Sequence, residues 1–405
     1  MLNLNFWIRI SLFNFFLVSL LGTLMRYNFV FSLPGFTHKF MQESHSHFAF
    51  YGWVSSCIYA FVANYIQKNK PDFNNIKYQI LMISNQIGSY GMLFSFLYGG
   101  YYWLSIVFSA IALFTGFAYC LFVWKDTKTI KDPAIIWLKY AAFFAVFSAI
   151  GIFGLAYFSS QKEAFEEIYR ASGYFYLHYQ YNGFFLFSCI GIVWISLRKY
   201  GFTISKRDNK ITFILLFLGT FLGYGLSVLW MKSAQNWFLP MGIVGIIQLF
   251  GAVKIHKIVV QQWKNISATM KTESKLLLKI VGITFLLKFV LQGLSAIPEI
   301  GVLAFNNINI VIAYLHLVLL VGVSLFLIWK IGEFQENKDR KFFKFGLYIL
   351  VFGVISNEII LILSSLFSVI YIFFSFAKYG LLLVSGFISM GILMILFNSK
   401  VENLE

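Results

Sequence analysis

The stretch Asn309-Ile-Val-Ile-Ala-Tyr-Leu-His-Leu-Val-Leu-Leu-Val-Gly322 decides the fold class, because it lies in an apolar segment long enough to cross a lipid bilayer. His316 lies roughly a third of the way into this segment. A neutral imidazole at that depth has no water to bond, so it needs a partner. Two other segments also carry histidines: Ser44-His-Ser-His-Phe-Ala-Phe-Tyr-Gly-Trp53 and Tyr176-Leu-His-Tyr-Gln-Tyr-Asn-Gly183.

The composition agrees with a membrane protein. Of 405 residues, 59% are hydrophobic and 12% are charged, whereas a soluble domain has about 25% charged residues. The net charge of +16 sits mostly in short loops, which favours a topology signal over nucleic-acid binding. Three cysteines lie in apolar segments without CxxC spacing, so neither a disulfide nor a zinc site is expected. The sequence therefore predicts an all-α polytopic membrane protein in which residues 1–405 form one integral membrane domain.

A membrane span needs about 20 mostly apolar residues. On that criterion the sequence predicts twelve transmembrane helices, at residues 6–30, 45–66, 78–98, 101–124, 136–158, 172–197, 211–231, 236–258, 275–297, 308–330, 342–366 and 371–397. Lys and Arg concentrate in the loops that follow even-numbered spans, from Lys68 to Lys344 and including Lys338. The positive-inside rule then predicts that both termini are cytoplasmic. No removable signal is expected at the N-terminus.

This orientation predicts that the histidines of spans two, six and ten lie at one depth. All three spans run from outside to inside, and a helix rises about 1.5 Å per residue. His45 and His47 open span two, His178 lies near the start of span six, and His316 lies in span ten, so all fall in the outer third of the membrane. His45 and His47 are two residues apart, and only one of them can face a given ligand.

Histidine is the usual protein ligand of haem iron, and two trans imidazoles give a low-spin, electron-transferring iron. The three His-bearing spans are therefore interpreted as the walls of one haem site. Other ionisable residues lie in the spans or at their ends. Glu358, near the middle of span eleven, is the strongest candidate for a functional acid, whereas lysines and arginines near span ends more often snorkel toward the membrane surface.

The arrangement resembles the catalytic subunit I of the haem-copper oxidase and nitric oxide reductase superfamily. Ala313-Tyr-Leu-His-Leu-Val-Leu-Leu-Val-Gly322 resembles the family's tenth-helix segment, whose second His binds the low-spin haem and corresponds to His316. The segment His178-Tyr-Gln-Tyr-Asn-Gly183 resembles a sixth-helix segment whose His binds a non-haem metal. The opening of span two resembles the family's other low-spin haem ligand, which favours His45 over His47 by a small margin.

The resemblance implies a complete low-spin haem site but a broken dinuclear site. Tyr314 replaces the ligand of the high-spin haem, Asn182 replaces a Glu, and Leu226 and Ser227 replace the paired metal-binding histidines. Only His178 remains as a metal ligand. Tyr314 could bind a second haem as phenolate, but a second haem or a non-haem metal is doubtful. The arginines that usually bind haem propionates are missing, and Arg26 or Lys39 could substitute for them.

Three functions stay open at this point. The favoured one is a protein with a low-spin b-type haem that transfers electrons or senses a redox partner or gas. The second is an active divergent oxidase or nitric oxide reductase, so an oxidoreductase activity is possible. The third is a transporter or assembly factor without haem. The resemblance implies a bacterial inner membrane, with lipid around the protein, a quinol or a separate cytochrome as electron donor, and possibly a partner subunit.

Overall fold

The computed structural model describes residues 2–70, 72–335, 340–369 and 376–399. Within these ranges the chain forms helices and no strand, which confirms the all-α prediction. Eleven continuous helical stretches of the described residues are long and apolar enough to cross a membrane. Some of these stretches consist of two consecutive α-helices. They indicate an integral membrane protein.

These eleven helices coincide with eleven of the twelve predicted spans. The remaining prediction, residues 45–66, falls in the continuous helical stretch 38–69, which is not among the eleven. Its two histidines, its serines and Asn64 lower its apolar character. The count of twelve therefore stays a prediction. The expected start of the last span, residues 371–375, and the loop residue Lys338 lie outside the described residues.

Seventeen α-helices follow one another along the described chain. They are α1 (Leu4–Phe31), α2 (His38–Phe48), α3 (Ser56–Asn69), α4 (Asn75–Gly99), α5 (Trp103–Asp126), α6 (Ala134–Phe147), α7 (Ala149–Phe158), α8 (Glu166–His178), α9 (Leu186–Leu197), α10 (Lys206–Leu222), α11 (Phe238–Ala268), α12 (Thr272–Leu294), α13 (Pro298–Asn306), α14 (Ile308–His316), α15 (Leu325–Gly332), α16 (Arg340–Val369) and α17 (Ala377–Asn398). Three π-helical segments continue α2, α8 and α14: Ala49–Ser55, Tyr179–Phe185 and Leu317–Ser324.

Several helices begin where the sequence supplies a capping side chain. Asn3 accepts a hydrogen bond from the Phe6 amide at the start of α1, and Asn74 accepts one from the Lys77 amide at the start of α4. Such caps satisfy amides that have no partner within the helix. Between α4 and α5, Gly100 has a positive φ of 62°, a conformation that glycine adopts at little cost. This turn separates the two predicted spans.

The chain divides into two compact units, Met1–Phe122 with Leu327–Glu405 (unit 1) and Val123–Phe326 (unit 2). In unit 1, α16 and α17 pack closely because Gly391 faces the backbone of Leu350: a Cβ on Gly391 would lie 2.6 Å from the Leu350 nitrogen. The Asn14 side chain of α1 donates to the Gly52 carbonyl oxygen at 2.6 Å. This bond holds the first π segment against α1.

In unit 2, α6 packs against the second π segment through aromatic rings. The Phe144 ring lies 5.7 Å from Tyr179 and 5.2 Å from Phe187 between ring centroids. Gly183 permits this packing, since a Cβ there would lie 2.5 Å from the Cβ of Phe144. At one end of the unit Asp132 pairs with Arg198 and also accepts from the Ala134 amide at 2.7 Å. These contacts fix the segment that carries His178.

Candidate functional site

Each of the three predicted histidine segments contains a π-helical stretch directly after its histidines. The stretches begin two residues after His47 and one residue after His178 and His316. Inserted π turns are rare and occur frequently at functional sites. All three histidine segments therefore share a local deformation of the helix that most of the other spans lack in the described residues.

In unit 1, His45 faces α1. Its Nδ1 lies 3.0 Å from the carbonyl oxygen of Val18. A carbonyl only accepts hydrogen bonds, so Nδ1 carries the proton and Nε2 carries the lone pair. Gly22, one turn further along α1, leaves room beside the ring, because a Cβ there would lie 3.4 Å from the Cε1 atom of His45. This tautomer is the one that allows Nε2 to bind a metal.

His47 has protein partners at both ring nitrogens. Its Nδ1 donates to the Glu43 carbonyl oxygen at 2.8 Å, and its Nε2 lies 3.1 Å from the Tyr101 hydroxyl, which can donate to it. The ring also stacks on Phe96, with centroids 4.4 Å apart. Iron ligation by His47 would require the Tyr101 bond to break.

In unit 2, His316 has the same tautomer as His45. Its Nδ1 donates to the Ile312 carbonyl oxygen at 2.9 Å, one turn back on α14, so the lone pair is on Nε2. Tyr314, two residues earlier, lies in a different direction around the helix, and its ring centroid is 6.5 Å from that of Tyr181. The two positions that the resemblance assigns to separate haems therefore point to separate surroundings.

His178 is fully buried and has three hydrogen-bond partners. Its Nε2 donates to the Thr220 carbonyl oxygen at 2.9 Å, and its Nδ1 accepts from the Asn182 amide at 3.0 Å. The Ser227 hydroxyl also lies 3.3 Å from Nδ1. Asn182 and Ser227 are two of the positions at which the sequence departs from the oxidase pattern. The described residues contain no group of three His, Cys, Asp or Glu side chains that could hold a metal ion.

This geometry does not fit a metal ion on His178. Both ring nitrogens are used, and Asn182 and Ser227 offer a hydrogen-bond donor where the resemblance would need metal ligands. A single imidazole does not hold copper or iron firmly. The predicted role of His178 as a metal ligand has no support in the surroundings of its side chain.

Arg26 and Glu358 interact electrostatically within unit 1. Glu358 is buried, and one of its oxygens, Oε1, accepts from the Asn357 amide at 3.2 Å, whereas Oε2 has no hydrogen-bond partner. Arg26 is therefore near enough to Glu358 for their charges to interact. Its predicted contact with a haem propionate stays a prediction.

Lys288, which lies in the predicted ninth span, is buried. Its side chain lies in the interior of unit 2 with a relative exposure of 1%. Its neighbours Thr284 and Gln292 are one turn away on either side of it, and they are also buried. This spacing of four residues between polar side chains was a signal in the sequence for a buried polar face on α12.

No protein-family model matches this chain, and no curated protein is significantly similar to it.

Proposed function

We propose that this protein binds a low-spin b-type haem in the membrane, with His45 and His316 as axial ligands, and uses it to transfer electrons or to sense a redox partner. The pairing of the two histidines comes from the resemblance of their segments to subunit I of the haem-copper oxidases. The observation that carries the proposal is the shared tautomer. In each ring Nδ1 donates to a backbone carbonyl, which leaves the lone pair on Nε2.

A hydrogen bond from the second ring nitrogen is the usual support of a metal-binding histidine. It fixes the orientation of the ring and raises the basicity of the ligating nitrogen. Val18 and Ile312 supply this bond through the backbone, so a substitution of either side chain would leave it in place. When bound, a bis-imidazole haem supplies one-electron chemistry. The role of the chain is to hold the two rings and to surround the haem with apolar side chains.

The surroundings of His178 weigh against oxygen or nitric oxide reduction in the usual way. That chemistry needs a second metal beside a five-coordinate haem, and the side chains around His178 hydrogen-bond the imidazole instead. The twelve-span, oxidase-like bundle, cytoplasmic termini and a bacterial inner membrane belong to the same proposal. A quinol or a separate cytochrome would be the electron donor.

The test is a reduced-minus-oxidised absorption spectrum of the purified protein and of single variants. We expect a sharp low-spin b-type signal that is lost in His45→Ala and His316→Ala. His47→Ala is the matched control, because it removes a neighbouring imidazole from the same helix and should keep the signal. Loss of the signal in His47→Ala with retention in His45→Ala would reverse the ligand assignment. A colourless wild-type protein would refute the proposal.

A further inference from the structure

Lys288 of α12 carries a buried amine that forms no hydrogen bond. Its side chain is 1% exposed, and its Nζ atom lies 3.7 Å from the centroid of the Phe289 ring. Nζ has no hydrogen-bond partner. No carboxylate among the described residues forms an ion pair with it. An amine in this setting is costly unless something else satisfies it.

Six other buried polar atoms of unit 2 also have no hydrogen-bond partner. Four of them are Asn182 Oδ1, Thr220 Oγ1, Gln248 Oε1 and Gln292 Oε1; the other two are Ser188 Oγ and Trp194 Nε1. Buried polar atoms are nearly always satisfied in native proteins, by protein or by ordered water. Lys288 Nζ and the first four of these atoms call for a common explanation, because packing brings their side chains together.

Packing contacts bring these side chains together. A Cβ on Gly223 would lie 2.8 Å from Gln248 Nε2 and 3.5 Å from His178 Cε1, so Gln248 lies beside the imidazole. His178 in turn contacts Asn182 and the Thr220 backbone.

The lysine belongs to the same region. Helices α11 and α12 cross with Gly245 against Gly293, where a Cβ on Gly245 would lie 3.0 Å from the Gly293 Cα. In this antiparallel register Gln248 is level with the turn between Lys288 and Gln292. Lys288 is also near enough to His178 to act on it electrostatically.

The hydrogen-bonding capacity of these atoms identifies the ligand. The three carboxamide oxygens can only accept hydrogen bonds, whereas the lysine amine and the Thr220 hydroxyl can donate. Two of the carboxamides cannot exchange their oxygen and nitrogen positions without breaking a hydrogen bond. Asn182 Nδ2 donates to the His178 Nδ1, and Gln248 Nε2 donates to the Gly219 carbonyl oxygen at 2.7 Å. The ligand must accept from the amine and donate to several oxygens.

Water meets this requirement. An anion would face three carbonyl oxygens, and the described residues contain no group of three His, Cys, Asp or Glu side chains that could hold a metal ion. Ordered waters inside proteins make two to four hydrogen bonds to groups of this kind. We propose that Lys288, Asn182, Gln248 and Gln292 hold a cluster of ordered water beside His178. The oxidase resemblance would put a second metal on that histidine. This inference does not depend on haem binding.

X-ray hydroxyl-radical footprinting of the full chain in lipid nanodiscs tests the proposal, because radicals formed from bound water label the adjacent side chains. Phe289 is the reporter, since its ring contacts Lys288 and is 2% exposed. Phe144 is the matched control, because it is 0% exposed and packed among aromatic rings. We expect labelling of Phe289 but not of Phe144. Lys288→Leu should lower the Phe289 labelling to the level of Phe144.

Two results would overturn the proposal. One is a wild-type Phe289 as unlabelled as Phe144. The other is unchanged labelling of Phe289 in Lys288→Leu while Phe144 stays protected. If Phe144 becomes labelled in that variant, the variant has unfolded and Gln292→Leu decides instead. Reduced labelling of Phe289 in Gln292→Leu would support the water cluster, and unchanged labelling would contradict it.

Discussion

Substitution of Gly183 by alanine should destabilise the protein, although alanine is normally the better helix former. Gly183 lies in the π segment after His178, and an added Cβ would lie 2.5 Å from both the Cβ and the Cγ of Phe144. The nearest atoms are the root of a buried side chain, so the neighbour cannot rotate away. Overpacking of this kind costs about 1–3 kcal/mol. The helix-propensity gain of alanine offsets about 0.5–1 kcal/mol of that cost, which leaves a net loss of up to about 2.5 kcal/mol.

Gly173→Ala is the matched control, because Gly173 lies in α8 of the same span. A Cβ there would meet only the Leu155 Cδ2 atom at 3.8 Å, an ordinary contact. It should therefore be neutral or gain about 0.5–1 kcal/mol. Thermal unfolding of the two variants in the same detergent compares them directly. If Gly183→Ala unfolds at the same temperature as Gly173→Ala or above it, the close packing between α6 and the π segment is wrong.

Three further predictions concern particular contacts. Asn182→Leu should lower the free energy of unfolding by about 1–3 kcal/mol, because it removes a hydrogen-bond donor to the buried His178 Nδ1. A smaller loss than that of an exposed substitution such as Lys162→Ala would contradict the hydrogen bond. Arg198→Lys should not restore the stability lost in Arg198→Ala, since a lysine cannot bridge both oxygens of Asp132, and equal melting temperatures for lysine and arginine would refute this. Burial raises the pKa of Glu43 above its usual range, so this group favours the folded state at low pH and loses that contribution as the pH rises through the raised pKa. Glu43→Gln should therefore flatten the dependence of unfolding free energy on pH in that range. An unchanged dependence on pH would contradict the raised pKa.

Much of the fold follows from the length and apolar character of segments. Eleven predicted spans coincide with helices because about 20 apolar residues suffice to cross a bilayer. Residues 45–66 are harder to assign as a membrane span, since their histidines and other polar side chains lower the hydropathy of the segment even though the helix is continuous. The buried position of Lys288 depends on tertiary packing that the sequence does not show. Helix α12 packs on α11 through Gly245 and Gly293, and Gly322 of the third π segment lies against Thr284 and Phe285.

The details of the site depend on contacts between distant parts of the chain. Sequence alone could not show the partners of His45 and His47, because Val18 and Tyr101 lie 27 and 54 positions away from them. The π segments have no simple periodic signal, since the choice between α and π turns depends on the neighbouring helices. By contrast, the replacements at 182 and 227 were visible in the sequence, and the structure gives them a role as hydrogen-bond donors to His178.

The haem content of the purified chain tests the central claim most directly. Full-length protein expressed with an adequate haem supply would be converted to its pyridine haemochrome, and the haem would be quantified against the protein concentration. The account predicts one b-type haem per chain, with no spectral change on addition of carbon monoxide to the reduced protein. A protein without haem would contradict it, and a haem that binds carbon monoxide would contradict the bis-histidine ligation.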